Sequence, residues 1–289
     1  MSPVQTIRNY LGLIRFSHTL FALPFALAAM LVAHGGIPGW RTCLLVLAAM
    51  VTARSCAMAV DRLVDADIDA RNPRTSLRHI PAGVLHRRSV TVFAAVCAAL
   101  FVATTALINP VTLSLSPVVL AVFVFYPFTK RFTSLTHFVL GAALGLAPVG
   151  AWIAVRGQFD LAPVLFGGAV MLWVAGFDVI YATRDEAFDR EAGLHSLVVS
   201  LGVVRSLAVA RILHALTLVL LVAYGLAEPT LRLYYYGGLG IVMALLLYEH
   251  AIVTNYPNDP RRINIAFFRI NAAVSLIVLA FSMLDVFLP

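Results

Sequence analysis

Long apolar runs recur along this chain, separated by short polar stretches, and their length sets the first expectation. A helix that crosses a bilayer needs about 20 mostly apolar residues. Windows of that kind fall at 12–33, 40–60, 90–108, 112–128, 135–155, 162–183, 203–226, 233–254 and 266–287, which predicts nine helices. A spanning β-barrel would instead alternate apolar and polar residues in short segments, a pattern that does not occur here. The opening segment carries one basic residue, Arg8, before Arg15, has no obvious cleavage site and is followed by further spans. It reads as a retained helix rather than a signal peptide. With no low-complexity linker and no shift in composition, 1–289 reads as a single polytopic domain of an all-α membrane protein.

Composition agrees with the pattern. Of the 289 residues, 61% are hydrophobic and only 12% charged, where a soluble domain carries roughly 25% charged residues. The net charge of +7 is unevenly spread. One set of connections holds Arg41, Arg156 and Arg232, whereas the other set and its helix ends hold most of the remaining basic residues, among them Arg62, Arg71, Arg87, Arg88, Arg131 and Arg184. By the positive-inside rule the N-terminus and the even-numbered connections face the cytoplasm, and an odd helix count puts Pro289 on the far side. Membrane orientation therefore explains most of the basic excess without nucleic acid, and an anionic ligand can explain the rest. Cys43, Cys56 and Cys97 lie in or near apolar helices without CxxC spacing, so they read as small packing residues and indicate neither a disulfide framework nor a metal cluster.

The acids change the picture. Nine of the 14 sit in two short segments, Asp61, Asp65, Asp67 and Asp69 in the first, and Asp178, Asp185, Glu186, Asp189 and Glu191 in the second. Each segment lies at the cytoplasmic end of an apolar span. A carboxylate at membrane depth costs about 2.5–3.5 kcal/mol on insertion scales, and clustering like charges adds repulsion, so a cation is expected to hold each group together. Asp61, Asp65 and Asp69 are spaced i, i+4, i+8 and share one face if the helix continues. Asp178, Asp185 and Asp189 are spaced i, i+7, i+11, with Tyr181 close to the same face. Two such faces converging at the mouth of a helical bundle make an all-oxygen site of the kind magnesium shares with substrate phosphates. The bland alternative is a pair of solvated loop ends neutralised by neighbouring arginines; matching spacing on two membrane helices favours the metal.

Cations follow the acids. Arg71, Arg74 and Arg78 come after the first segment, and Lys130 and Arg131 end the fourth span beside Tyr126. Arginine binds two phosphate oxygens at once through its planar fork, so carboxylates, magnesium and arginines together describe a diphosphate cradle. Arg54 lies inside the second span, seven residues before Asp61, and an intramembrane arginine is a functional candidate by default. It can pair with Asp178 or bind an acceptor's carboxylate. His195, in the second acidic segment, and His18, near the start, can serve the diphosphate and the cavity, although a lone histidine is more often a packing or capping residue. His34, His86, His137, His214 and His250 take that plainer reading.

These motifs resemble those of the UbiA family of membrane prenyltransferases. Asp61-Arg-Leu-Val-Asp65-Ala-Asp-Ile-Asp69, continuing through Arg74 and Arg78 to Pro81-Ala-Gly83, is similar to the family's first signature. Asp178-Val-Ile-Tyr181-Ala-Thr-Arg-Asp185-Glu-Ala-Phe-Asp189, then Gly193-Leu-His-Ser196, is similar to the second. Tyr126-Pro-Phe-Thr-Lys130-Arg131, the Leu140-Gly141 to Ala147-Pro148 helix, Arg15-Phe-Ser-His18 and Phe267-Phe268 to Asn271 also fit, so the resemblance covers nearly the whole chain. Asp61 departs from it, standing where the first motif normally opens with asparagine.

The resemblance implies about nine transmembrane helices in a bundle around a central cavity, capped by cytoplasmic loops. Asp65, Asp69, Asp185 and Asp189, with Asp61, would hold Mg2+; Arg74, Arg78 and Lys130 would bind the diphosphate; Tyr126 and Tyr181 would lie beside the reacting carbon. Arg54 would anchor the acceptor's carboxylate and Asp178 would orient or deprotonate the acceptor. The activity implied is transfer of a polyprenyl chain from an allylic diphosphate to a hydroxy-aromatic acid, 4-hydroxybenzoate or a related naphthoate, in quinone biosynthesis at a bacterial inner membrane. Two rival classes, a membrane transporter and an alcohol phosphotransferase, fit less well. The acids gather at one membrane face rather than at a midplane helix break, and the phosphotransferase pattern of one longer acidic cluster is missing.

Overall fold

Each apolar run folds as a helix because, in lipid, backbone N–H and C=O groups must be satisfied within the segment itself. The computed structural model describes residues 2–15, 21–255 and 259–288, and among them every regular element is helical. In chain order these are α1 (Pro3–Leu13), α2 (Leu23–His34), α3 (Trp40–Val64), α4 (Ala66–Arg71), α5 (Arg87–Ile108), α6 (Pro110–Thr129) and α7 (Thr136–Arg156). There follow α8 (Leu161–Ala182), α9 (Glu186–Glu191), α10 (Leu197–Leu201), α11 (Val203–Ala227), α12 (Leu233–Asn255), α13 (Pro260–Asn264) and α14 (Asn271–Phe287). A wide π turn, Ile265–Ile270, joins α13 to α14.

Among the described residues, 8 helices are long and apolar enough to cross a membrane, counting Arg261–Phe287 as one. They match eight of the nine expected windows to within a few residues. The first window, 12–33, differs. Its described helix, α2, has 12 residues and ends at Gly35, whose φ of 70° is left-handed. A helix of that length spans about 18 Å, short of the roughly 30 Å hydrocarbon core. Residues 16–20, and with them His18, lie outside the described residues. Nine spans is thus an approximate count.

The chain packs as two compact units, Met1–Thr19 with Trp40–Phe128, and Leu20–Gly39 with Thr129–Pro289. In the first, α3 and α5 pack side by side and α1 lies on α3. Leu13, Ala59, Ile80, Leu85 and Val90 are buried between them, and Tyr10 tilts against Phe93 at 4.8 Å between ring centroids.

In the second unit α8 is central, with α7 and α11 against it. Helices in lipid gain little from apolar burial against one another, so close approach of small residues does the packing. A Cβ on Gly167 would stand 2.7 Å from the carbonyl oxygen of Gly145, and one on Gly141 would overlap the backbone carbonyl of Met171. These contacts are what the glycine-rich run on α7 is for. Gly176 likewise leaves room on α8 for the His214 ring. At the far end of the unit the buried Asp285 carboxylate accepts from the N–H groups of Arg232, Tyr234 and Tyr235 at 2.7, 3.2 and 2.7 Å. It caps the start of α12, whose first N–H groups have no helical partner.

Candidate active site

The first carboxylate row spans the turn at Asp65 between two helices. Where α3 gives way to α4, the N–H of Asp65 still donates to the Asp61 carbonyl at 3.0 Å and that of Asp69 to the Asp65 carbonyl at 2.8 Å. These two bonds keep the i, i+4 succession of the three residues across the turn at Asp65, whose φ and ψ are −87° and −4°. Asp65 and Asp69 are buried, 5% and 4% exposed, and Asp61 is half-buried.

Arginines balance this row. Arg78 donates through Nη1 to both oxygens of Asp69 at 2.7 Å, and Arg62 pairs with Asp61 at 2.7 Å. The exposed Asp67 turns the other way and pairs with Arg87. The loop that brings Arg78 back is built from local turns. Asn72 Oδ1 accepts from the Arg74 N–H at 2.9 Å, Thr75 Oγ1 donates to the Asp69 carbonyl at 3.1 Å, and Gly83 turns at a φ of 70°. Thus Arg74 and Arg78 share one short loop over the row. His79 lies in the same loop with its ring against Gly12, and burial together with the positive Arg62 pushes its imidazole below the ordinary range.

Arg54 sits on α3 two turns before Asp61. Its Nη2 reaches the Arg15 carbonyl at 3.5 Å, and its buried Nε has no protein partner. Arg15 itself adopts a left-handed φ of 44°. Tyr126 is half-buried near the end of α6.

The second row is built differently. After Tyr181 the helix tightens: Thr183, Arg184 and Asp185 donate to Ile180, Tyr181 and Ala182, three i to i+3 bonds in succession. Such a turn advances about 20° more per residue than an α-helix. Asp185 is therefore rotated from the face that the i, i+7 spacing assigns it with Asp178. Beyond the turn, the Asp189 N–H donates to the Asp185 carbonyl at 2.8 Å, so those two residues again lie one turn apart. The following loop is tied down where the His195 N–H donates to the Lys130 carbonyl at 2.7 Å. This places the His195 backbone beside Lys130, and the His195 side chain is exposed.

Asp178 has a partner that sequence reasoning passed over. Nδ1 of His137, in the first turn of α7, lies 2.7 Å from Asp178 Oδ2, and the buried Nε2 of the same ring has no protein partner. The residues are 41 positions apart, so no local spacing signalled the pair. Tyr181, one turn beyond Asp178, stacks on Phe267 at 4.1 Å between centroids, and the Arg184 guanidinium lies 5.4 Å from its ring centre. His214 and His250, read from the sequence as packing residues, are buried and share a 3.0 Å hydrogen bond in a polar cluster with Glu249.

Among the described residues no three His, Cys, Asp or Glu side chains gather closely enough to enclose an ion by themselves. Magnesium seldom asks for that, since it usually keeps waters and takes phosphate oxygens beside one or two carboxylates. The donors present suit it: they are oxygen only, two are buried, and Asp69 is neutralised by an arginine that a phosphate oxygen can engage in its place.

Comparisons with known proteins show the family and the fold. The profile of the UbiA prenyltransferase family matches residues 22–273. The 4-hydroxybenzoate octaprenyltransferase of Albidiferax ferrireducens is 32% identical over 205 residues, covering 70% of this chain and 69% of that protein. Its counterpart in Azotobacter vinelandii is 30% identical over 233 residues, covering 81% and 78%. The apo structure of a UbiA homolog from Aeropyrum pernix K1 superposes with a TM-score of 0.84 at 33% identity, covering 93% of this chain and 98% of that one. A UbiA homolog from Archaeoglobus fulgidus bound to GPP and Mg2+ shares the fold, with a TM-score of 0.75 at 21% identity over 96% of this chain and 99% of that one.

Proposed function

We propose, from the premise that this chain belongs to the UbiA prenyltransferase family, that it transfers a polyprenyl chain from an allylic diphosphate to a ring carbon of 4-hydroxybenzoate or a related hydroxynaphthoate in quinone biosynthesis. The transporter and alcohol phosphotransferase readings fall with that membership. The observation that carries the proposal is the Asp69–Arg78 pair, a buried carboxylate for a hard cation and a half-buried guanidinium for phosphate held in one interaction. The curated relatives named above support the aromatic acceptor, as does Arg54, an intramembrane guanidinium with a free buried N–H.

Asp65, Asp69, Asp185 and Asp189, with Asp61, are the carboxylates for Mg2+, which when bound supplies positive charge against the diphosphate. Arg74, Arg78 and Lys130 bind the leaving group, Arg78 exchanging one partner oxygen for another. As the allylic C–O bond breaks, the bonding pair leaves with the diphosphate. Tyr126 and Tyr181 lie beside the allylic cation and, with Phe267 packed on Tyr181, keep water from it. The acceptor, held through its carboxylate by Arg54, forms the new C–C bond at an electron-rich ring carbon. Asp178, oriented by His137, takes up the proton that the acceptor releases. The basic connections support a cytoplasmic-facing site, in a bacterial inner membrane, as the place of this chemistry. Membrane lipid accommodates the isoprenoid tail.

The test is direct. Purified protein is supplied with Mg2+, one long-chain prenyl diphosphate and a panel of hydroxy-aromatic acids, and products are identified by mass. One prenylated acid per diphosphate released is expected. Release of no diphosphate with any acceptor overturns the proposal.

A further inference from the structure

The last membrane helix carries one fault in its backbone, and a single side chain holds it. In the π turn Ile265–Ile270 the Asn271 N–H donates to Phe268 instead of to the carbonyl of Phe267, four residues back. The Asn271 side chain takes over the loosened carbonyls. Its Nδ2 donates to Phe267 O at 3.2 Å and Ala266 O at 3.1 Å, and reaches Glu249 Oε1 on α12 at 2.8 Å. Its Oδ1 accepts from Trp173 Nε1 on α8 at 2.7 Å. Both Asn271 and Glu249 are fully buried. His214 packs beside the clamp, with Nε2 3.3 Å from the Trp173 carbonyl and Nδ1 hydrogen-bonded to His250 at 3.0 Å.

What the clamp holds in place is Phe267. A π turn inserts one residue into a helix and so offsets the faces before and after it by about 100°. Were the turn to relax to α-helix, with α14 fixed against α2 and α12, Phe267 would swing off its contacts. Those contacts are the face of Tyr181 at 4.1 Å and the edge of Phe177 at 5.4 Å. Trp173, Phe177 and Tyr181 lie at i, i+4, i+8 on α8, so one face of that helix carries both the bond to the clamp and the ring it positions.

We propose that Asn271, fixed by Glu249 and Trp173, is a positioning residue for prenyl transfer: it maintains the π turn that seats Phe267 on Tyr181, and so keeps water from the allylic cation. The inference rests on the prenyltransferase reading and deepens it. Its chemical consequence is a partition. A shielded cation is captured by the aromatic carbon, which then loses a proton. An exposed cation is captured by water, which forms a C–O bond, loses a proton and gives the prenyl alcohol.

Two readouts test it on the full-length protein in lipid nanodiscs. The first is the 19F resonance of 3-fluorotyrosine incorporated at position 181. The second is the ratio of prenyl alcohol to prenylated acid, formed with Mg2+, geranyl diphosphate and 4-hydroxybenzoate. In Asn271→Leu the 19F line is expected to move and the alcohol share to rise at least fivefold. Glu249→Gln, whose amide oxygen still accepts from Asn271, should keep both near wild type. A merely structural loss lowers both products together, so an unchanged ratio overturns the inference, as does an unmoved 19F line. Should Asn271→Leu fail to fold, Trp173→Phe, which deletes one hydrogen bond, carries the same decision. If the wild type releases no diphosphate at all, the proposed function fails, while the 19F line still decides whether the clamp seats Phe267.

Discussion

His137 Nδ1 stands 2.7 Å from Asp178 Oδ2, joining the first turn of α7 to α8 about one turn before the stacked Tyr181. The imidazole is almost wholly buried and the carboxylate is partly open, so the pair presents Asp178 outward with its back secured. A carboxylate held in this way has one oxygen committed and one available to a proton donor.

Removing the imidazole should loosen that carboxylate without touching the diphosphate. His137→Ala loses a hydrogen bond to a charged group, about 1.5–3 kcal/mol, so kcat is expected to fall about 10- to 100-fold. The KM for prenyl diphosphate should change little, and His137→Gln, which keeps a donor, should recover part of the rate. Steady-state kinetics on the three proteins checks this, and an unaltered kcat in His137→Ala would remove His137 from the mechanism.

The carboxylate rows should answer to the metal. EDTA is expected to abolish diphosphate release and added Mg2+ to restore it. Asp185→Asn should cut turnover by about 10²-fold or more while the thermal transition stays in place, since loss of transition-state charge stabilisation has effects of that size. Full activity in Asp185→Asn would take that residue out of the assigned set.

Arg54 should discriminate among acceptors. Arg54→Gln is expected to raise the KM for a carboxylate-bearing acceptor by about tenfold or more, corresponding to a lost charge-assisted hydrogen bond. A phenol of the same shape without the carboxylate should show no such difference between wild type and variant. Equal effects on both acceptors would place the arginine's role elsewhere.

Packing of the second unit should depend on its small residues. In Gly167→Val the added side chain meets the Gly145 carbonyl and Val149, with a Cβ already only 2.7 Å from that oxygen. Overpacking of this kind costs about 1–3 kcal/mol. A lower thermal midpoint in detergent is the expected result, and Gly150→Ala, where a Cβ has open space, is the control.

The apolar windows and the acid spacings are local signals, and they were legible because lipid demands long helical runs and because i, i+4 positions stack on any continuous helix. Sequence alone therefore determined eight of the long helices, the i, i+4 succession of Asp61, Asp65 and Asp69, and the family. Only the tertiary structure decided that His137 serves Asp178, that the helix tightens before Asp185, and that Asn271 bridges Glu249 and Trp173 across a π turn. Contacts between residues 41 or 98 positions apart leave no periodic trace in a chain, and one residue inserted in a turn looks, in an apolar run, like any other. Such features are chosen by whichever side chain is near when a buried polar group must find its partner.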